Sequence, residues 1–449
     1  MKTYLNHYWL LIIVTLILFI ISCLLFYPGY YSNDSIQQLG QAVSTIPIGD
    51  WHPPVMVMMW KLLIGLTGSP ASMLLFQLLM FWVANSILGI IIFRLTANKL
   101  LSFLPIFAGM LPITIGISGV IWKDVQMSYA LVLATVLILL YVTSKNLNNK
   151  KLFKWAVLGS ALVLILYAGL LRYNALVAIV PLLYLLVDAA GLFNQWKVKI
   201  LVSICIVLTA TGLGSIMNRI LDIKQDHPTS SVMLDDIVNV RQPSEINKNT
   251  GVLYETLLDI QKTCKNKKLV INSYWKCAND TNRETISQAY FEELRGYWLQ
   301  TLASSPLSYM LYRFEAFAIF IFAPNQYLFS YDKPIAPNEF GQSVRYEKAS
   351  NFLHVYVKEF GYRHFSYLFQ AWFWISAAIA TFYISLKKLK VYRREVIVLS
   401  LSSLLYIFSY MPVVVAADYR YIFWSVFATL IAALLILLET RALRPSIKK

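Results

Sequence analysis

Charged residues and cysteines are both scarce in this sequence. Only 14% of its 449 residues are Asp, Glu, Lys or Arg, whereas soluble globular domains contain about 25%. Together with a hydrophobic fraction of 58%, this scarcity excludes an ordinary soluble enzyme. Four cysteines in so long a chain also exclude a disulfide-stabilised scaffold.

Long apolar runs of about 20 residues recur along the chain and predict an all-α polytopic membrane protein. We predict ten spans, near residues 8–27, 71–93, 101–121, 125–143, 153–171, 173–193, 198–216, 366–386, 396–412 and 420–438. Two further apolar stretches, 55–66 and 307–323, are predicted to be interfacial or re-entrant helices. If the second one crosses the membrane, the protein has about 11 transmembrane helices.

The distribution of the cations along the chain explains the formal net charge of +16. Cytoplasmic loops are enriched in Lys and Arg, and 18 of the 39 cations fall in alternate short loops or near the two termini. The short segments of the opposite face contain four cations, Lys61, Lys123, Arg172 and Arg420. We therefore predict a multi-pass protein of the cell membrane with both termini in the cytoplasm. Nucleic acid is not indicated as a partner.

This pattern divides the chain into three regions. Residues 1–216 are predicted to form an N-terminal transmembrane module, with a first outer loop at 28–70. Residues 217–365 are predicted to form an extracytoplasmic loop region with interfacial helices, and residues 366–449 the C-terminal transmembrane helices.

The middle region begins with the longest polar stretch of the chain. Asp235, Asp236 and Arg241 are interpreted as loop residues that precede amphipathic helices near 252–262 and 284–302. Cys264 and Cys277 also lie in this stretch, and the sequence leaves open whether they form a disulfide or remain free thiols.

Polar residues from distant segments fall on the same predicted outer face. They are Asp34, Asp50, His52, Lys123, Asp124, Arg172, Tyr173, Asn174, Asp418, Arg420 and Tyr421. Ionisable residues at the membrane boundary are scarce and often functional, so their convergence predicts a site built between the helices. Structural alternatives are an N-cap role for Asp34 on a helix at 35–43, a turn role for His52, an ion pair between neighbouring Lys123 and Asp124, and interfacial arginines.

Two groups of motifs carry a resemblance to a known family. Residues 34–42, followed by Asp50-Trp51-His52-Pro53-Pro54 and an apolar helix, resemble the first outer loop of GT-C superfamily glycosyltransferases. The similarity is to the branch of the protein O-mannosyltransferases and lipid A aminoarabinose transferases. Arg172-Tyr173-Asn174 and Asp418-Tyr419-Arg420-Tyr421 also resemble recurring parts of bacterial members.

The resemblance implies transfer of a sugar from a polyprenyl-phosphate donor to a cell-envelope acceptor on the outer face of the membrane. In this interpretation Asp34 is the general base, and Asp50 or His52 orients the acceptor or substitutes for it. The donor phosphate is held by Arg172 and Arg420, with Lys123 as a further ligand. The substrate is lined by Tyr173, Asn174, Asp418 and Tyr421.

Metal use and the class of activity stay open at this stage. Relatives often have a second acid directly after the first, and this chain has Ser35 there, so no cofactor is assigned and a divalent cation is an alternative. Other classes with the same membrane plan are a flippase or transporter for a lipid-linked saccharide and a polysaccharide polymerase. The position of Asp34 beside the Pro-Pro loop favours the transferase.

Overall fold

The computed structural model describes residues 2–144, 151–265, 287–323, 329, 331 and 333–442. Within these residues the regular elements are helices, and extended chain pairs only through isolated bridges. By length and composition six helices can cross a membrane, or seven if the bent pair Glu347–Phe369 and Ala371–Lys388 forms one span. The prediction of an all-α polytopic membrane protein is confirmed at this level, but the predicted count of ten or 11 spans is not. The predicted spans 173–193 and 396–412 form helices of only 16 residues, Ala175–Ala190 and Arg393–Phe408, which are too short to be counted as spans.

The helices follow one another in this order: α1 Lys2–Phe26, α2 Asn33–Ala42, α3 Pro54–Thr67, α4 Ser72–Thr96, α5 Lys99–Ser102, α6 Leu104–Ala108, α7 Pro112–Ile115, α8 Lys123–Thr143, α9 Lys151–Leu171, α10 Ala175–Ala190, α11 Trp196–Ile220, α12 Ser230–Val240, α13 Pro243–Thr250, α14 Tyr254–Lys265, α15 Phe291–Ser304, α16 Pro306–Phe322, α17 Glu347–Leu353, α18 Arg363–Phe365, α19 Ala371–Lys388, α20 Arg393–Phe408 and α21 Phe423–Ala442. A π-helical stretch, His354–Tyr362, joins α17 to α18, and 3₁₀ turns are present at Ser366–Phe369 and Tyr419–Ile422.

The predicted third span at 101–121 is wrong as a continuous helix. The segment consists of the short helices α5, α6 and α7, because Pro105 and Pro112 can only start a helical turn and cannot continue one. The segment nevertheless runs the length of α1. Ser102 Oγ lies 2.9 Å from His7 Nε2 near the start of α1, and Gly119 O accepts a hydrogen bond of 2.9 Å from Tyr30 N just past its end.

We call residues 99–122 the broken crossing. Side chains of other segments form hydrogen bonds with its backbone carbonyl groups. Gln77 Nε2 of α4 donates to Ser118 O at 2.6 Å and to Val120 O at 3.2 Å. Tyr331 Oη donates to Gly116 O at 2.5 Å. Gly119 is required where it stands, because a Cβ there would lie 1.9 Å from the ring of Phe26. Irregular backbone at membrane depth is tolerated only when it is enclosed by protein in this way.

Many of the basic residues of the short loops gather at one end of the helix bundle, which we call the basic end. Arg94 Nη1 donates to Ser144 Oγ at 3.0 Å, and Lys154 Nζ donates to Ala190 O at 2.5 Å. Asp188 forms ion pairs with Lys199 and Arg394. These contacts group the loops as the charge pattern predicts. Which side of the membrane this end faces stays a prediction.

Helices α12 to α15 form a cap at the opposite end, the site end. The cap has its own small apolar core, made by Leu234, Ile237, Val238, Ile246, Val252, Leu257, Ile260, Leu294 and Tyr297. The loop interpretation of Asp235 and Asp236 is wrong, because both belong to α12 and are buried there. The predicted amphipathic helices correspond to α14 and α15. The side chain of Cys264 and the whole of Cys277 lie outside the described residues.

Buried charges join the cap to the bundle. Arg313 of α16 lies 2.5 Å from Asp236 Oδ1, and it donates to Val414 O at 2.9 Å and to Val232 O at 3.3 Å. The neighbouring Tyr312 donates to Asp235. The cap, α16 and the segment before Asp418 are therefore held in one polar network. Helices α3 and α16 form where interfacial helices are predicted, and neither is long enough to count as a span.

Candidate functional site

The site is built where the start of α2 meets the start of the last span. Asp34 Oδ2 lies 2.9 Å from Arg420 Nη1, although the two residues are 386 positions apart. Asp418 Oδ2 lies 2.8 Å from Arg420 Nε. The Asp34 side chain keeps 23% of its exposure, whereas those of Asp418 and Arg420 keep 6% and 11%. Asp34 is thus the most accessible acid of this cluster.

Short-range hydrogen bonds hold α2 in this position. Ser32 is the N-cap residue and forms a capping box with Ser35. Ser35 Oγ also donates to Ile121 O at 2.8 Å, and Trp122 Nε1 donates to Ser32 Oγ at 2.8 Å. The start of α2 is therefore attached to the end of the broken crossing. The N-cap alternative for Asp34 is wrong, because Asp34 is a first-turn residue whose carboxylate is directed to Arg420.

A second ion pair lies beside the first. Arg172 Nε is 2.5 Å from Asp124 Oδ1, and the Asp124 side chain is fully buried. This contact contradicts the alternative in which Asp124 pairs with its neighbour Lys123. Among the described residues Lys123 forms no ion pair, although it interacts electrostatically with Asp34 and Arg172. Its amine is the cation of this cluster whose charge is not neutralised by direct contact.

Aromatic rings contact both guanidinium groups. The Arg172 carbon lies 4.7 Å and the Arg420 carbon 5.4 Å from the centroid of the Tyr421 ring. Arg420 also lies 4.5 Å from the Trp122 ring, and Tyr410 stacks on Tyr421 at 4.9 Å. Cation–π contacts of this kind fix the planes of the arginines without using up their N–H donors. Tyr421, which is predicted to line the substrate, thus contacts both of the arginines that are predicted to bind the phosphate.

His52 approaches Asp34 from the loop before α3. Its Nε2 lies 2.9 Å from Gln37 Oε1, so the ring donates from Nε2. Its Nδ1 has no hydrogen-bond partner among the described atoms, and the side chain is 2% exposed. Burial, aided by the charge of Lys123, lowers the pKa of His52 to about 3. The imidazole is therefore neutral at neutral pH, with its Nδ1 lone pair available.

The pKa values of the two acids that contact Arg420 are shifted in opposite directions. Burial would raise the pKa of Asp34, but the charge of Arg420 and its hydrogen bond, together with the charge of Lys123, outweigh burial and hold that pKa well below its usual range. Burial raises the pKa of Asp418 to about 6, although Arg420 acts in the opposite direction. Asp34 is thus ionised throughout the physiological range, and Asp418 titrates near its lower edge.

Three of the predicted site residues have other contacts. Asp50 Oδ1 accepts a hydrogen bond of 2.6 Å from Asp226 N and holds the chain that leads into the cap. Asn174 Nδ2 donates to Ser409 O at 3.3 Å and ties α10 to the end of α20. Tyr173 is 75% exposed, unlike the buried residues of the cluster. The geometry therefore assigns Asp50 and Asn174 to structure, and it does not place Tyr173 in the cluster.

Sequence reasoning missed Gln37, Trp122 and Tyr410. Gln37 could have been found, because it lies one helical turn after Asp34 and so shares its face. Trp122 and Tyr410 have no such signal, since only the tertiary fold brings them to the arginines.

Potential metal ligands are not clustered in the described part of the site. Within the described ranges no group of three or more His, Cys, Asp and Glu side chains is arranged to hold a metal ion. What the site does offer is an ionised carboxylate, a neutral imidazole, two oriented guanidinium groups and one amine. This set can accept a proton and bind an anion at neighbouring positions.

Comparison with protein-family models, with curated proteins and with solved structures gives no match for this chain. The functional argument therefore depends on the residues of the site and on their geometry.

Proposed function

We propose that the protein is a glycosyltransferase that moves a sugar from a polyprenyl-phosphate donor to a cell-envelope acceptor at the outer face of the membrane. The observation that carries the proposal is the contact of Asp34 with Arg420, beside Arg172 and Lys123, at one end of the bundle. A donor whose tail stays among the spans needs its phosphate and its sugar at that depth. The resemblance of residues 34–54 to the GT-C outer loop supports the same reaction.

The chemical step requires a base and a leaving-group stabiliser close together. The acceptor hydroxyl attacks the anomeric carbon and gives its proton to the Asp34 carboxylate. The bond between that carbon and the phosphate oxygen breaks, and the polyprenyl phosphate leaves with the electron pair. Arg172 and Lys123 are suited to stabilise the negative charge that develops on the phosphate.

Arg420 has a double role in this proposal. In the absence of donor its charge is neutralised by Asp34 and Asp418, and it keeps the pKa of Asp34 low, which makes the carboxylate a poor base. A bound phosphate competes for the same guanidinium. When Arg420 turns to the phosphate, Asp34 becomes more basic, so donor binding and base activation are coupled.

The test is turnover by the purified protein with a synthetic polyprenyl-phosphate sugar. Asp34→Asn keeps the size of the side chain but cannot accept a proton. We expect it to bind donor while turnover falls about 10²–10⁴-fold, the usual contribution of general acid–base catalysis. Asp222→Asn is the matched control, because Asp222 is exposed, lies outside the site and has a positive φ that Asn tolerates.

Three results would contradict the proposal. Full activity of Asp34→Asn would remove Asp34 as the base. Failure of the wild-type protein to turn over any polyprenyl-phosphate donor, combined with movement of a lipid-linked saccharide across vesicle membranes, would favour the flippase. Chain lengthening of the transferred product would instead favour the polysaccharide polymerase.

A further inference from the structure

A cavity of about 460 Å³ at the basic end lies far from the site described above. It is formed where α10 turns into α11, and Arg394 at the start of α20 completes its wall. Three cations and one acid line it: Lys197, Lys199, Arg394 and Asp188. Asp188 pairs with both Lys199 and Arg394, so the wall retains an excess of two positive charges.

The backbone and the aromatic groups of this cavity also suit an anion. The N-cap residue Gln195 and the first two residues of α11, Trp196 and Lys197, line the cavity, and Gln195 makes no side-chain cap. The partial positive charge at the start of this 25-residue helix therefore lies at the cavity wall. Trp196 also lines the cavity and is 59% exposed, with Lys197 Nζ 5.7 Å from its ring. Tryptophan in this setting is typical of the level of lipid headgroups.

The flank of α11 next to the cavity is apolar and uncovered. Only 11% of its span window is buried within the protein. Leu201, Ile204 and Leu208 are 40–64% exposed along it. Leu192, in the turn before α11, is 57% exposed. A ligand with an anionic head and long apolar chains matches both the cavity and the flank.

We infer that this cavity binds the phosphate headgroup of an anionic phospholipid, whose acyl chains lie along α11. Basic pockets between transmembrane helices recognise such headgroups by charge. Arg394 of α20 and Lys197 of α11 contact the phosphate, and Lys199 remains with Asp188. The inference is independent of the proposed transferase activity, because it concerns the other end of the bundle.

The experiment measures lipid binding by the delipidated full-length protein in detergent, by native mass spectrometry and by the thermal midpoint. Phosphatidylglycerol, phosphatidylcholine and inorganic phosphate are added separately. We expect retention of phosphatidylglycerol and a raised midpoint, with neither effect from the other two. Arg394→Gln and Lys197→Gln should each weaken apparent phosphatidylglycerol affinity about fivefold, since a cation near a lipid surface contributes about 1 kcal/mol.

The matched control is Arg393→Gln, which removes the same charge from the adjacent, exposed residue that does not line the cavity. It should bind phosphatidylglycerol like the wild type. Equal loss in Arg393→Gln and Arg394→Gln would mean general charge attraction and would overturn the inference. Competition by inorganic phosphate at the same concentration would show a site for free phosphate and would also overturn it.

Discussion

At the scale of single residues, the site depends on which acid meets which arginine. Sequence position puts Asp34, Arg172 and Arg420 on the same face, but it suggests Lys123 as the partner of Asp124. The fold gives Asp124 to Arg172 instead, and it leaves the Lys123 amine without direct neutralisation. Successive side chains of a helix point about 100° apart, so adjacent residues rarely form an ion pair. The partner of Asp124 is therefore decided by the tertiary contact.

His52 makes the protein less stable in acid. The pKa of His52 is about 3 in the folded protein, against an ordinary value of 6.5. Below pH 6.5 this histidine is therefore protonated in the unfolded chain but still neutral in the folded protein, which favours unfolding. The loss is about 1.4 kcal/mol per pH unit between pH 6.5 and about 3. His52→Gln keeps a donor for Gln37 and should lose about 2 kcal/mol less stability than wild type between pH 6.5 and 5. Thermal midpoints at the two pH values measure it.

The control for this prediction is His364→Gln, because that histidine is exposed and the change should leave the acid-induced loss as it is in the wild type. If His52→Gln and the wild type lose the same stability on acidification, His52 is not held neutral in the folded protein.

At the scale of elements, the sequence predicts the continuous apolar helices well and the interrupted segments poorly. The predicted spans that became α1, α4, α8 and α9 agree in place because their apolar runs are uninterrupted. The segment 101–121 is equally apolar, but its prolines and glycines prevent one continuous helix. The cap was predicted as loops at Asp235 and Asp236 because polar composition conceals a helix whose acids are buried by Arg313 and Tyr312.

Arg313 should control how firmly the cap is attached. Lysine at this position keeps the charge but cannot reach Asp236, Val232 and Val414 together, so charge-assisted hydrogen bonds of about 1.5–3 kcal/mol each are lost. In Arg313→Lys we expect amide hydrogen exchange in α12 and in 409–418 to be more than tenfold faster.

A matched change on the cap surface tests whether this effect is specific. Arg295→Lys alters an arginine of α15 whose contact with Glu292 is 3.8 Å long and exposed. Such pairs contribute little, so exchange in α12 should stay at its wild-type rate. Unchanged exchange in Arg313→Lys itself would show that apolar contacts alone hold the cap.

At the scale of the whole molecule, the basic end and the site end give a test of orientation. Tyr173 and Leu253 are exposed at the site end, and Leu192 and Val391 are exposed at the basic end. Each of the four can be replaced singly by cysteine. In a chain without its four native cysteines, the first two should react with an impermeant thiol reagent added to intact cells, and the second two should react only after lysis. Labelling of Leu192→Cys or Val391→Cys in intact cells would reverse the orientation and move the site to the inner face.

The broken crossing has a consequence for how the chain enters the membrane during synthesis. A complete helix can enter the lipid by itself, because its own backbone hydrogen bonds are satisfied. Residues 99–122 instead have polar backbone groups whose hydrogen bonds come from Gln77 and, much later in the chain, from Tyr331. This stretch therefore stays only partly integrated until the C-terminal half has been made. In a chain without its native cysteines, a single cysteine at Ser118, which is fully buried in the finished protein, should react with a water-soluble thiol reagent in nascent chains that end after α8. It should be protected in chains that include residue 369. Equal protection in both lengths would show that the stretch integrates without its later partners.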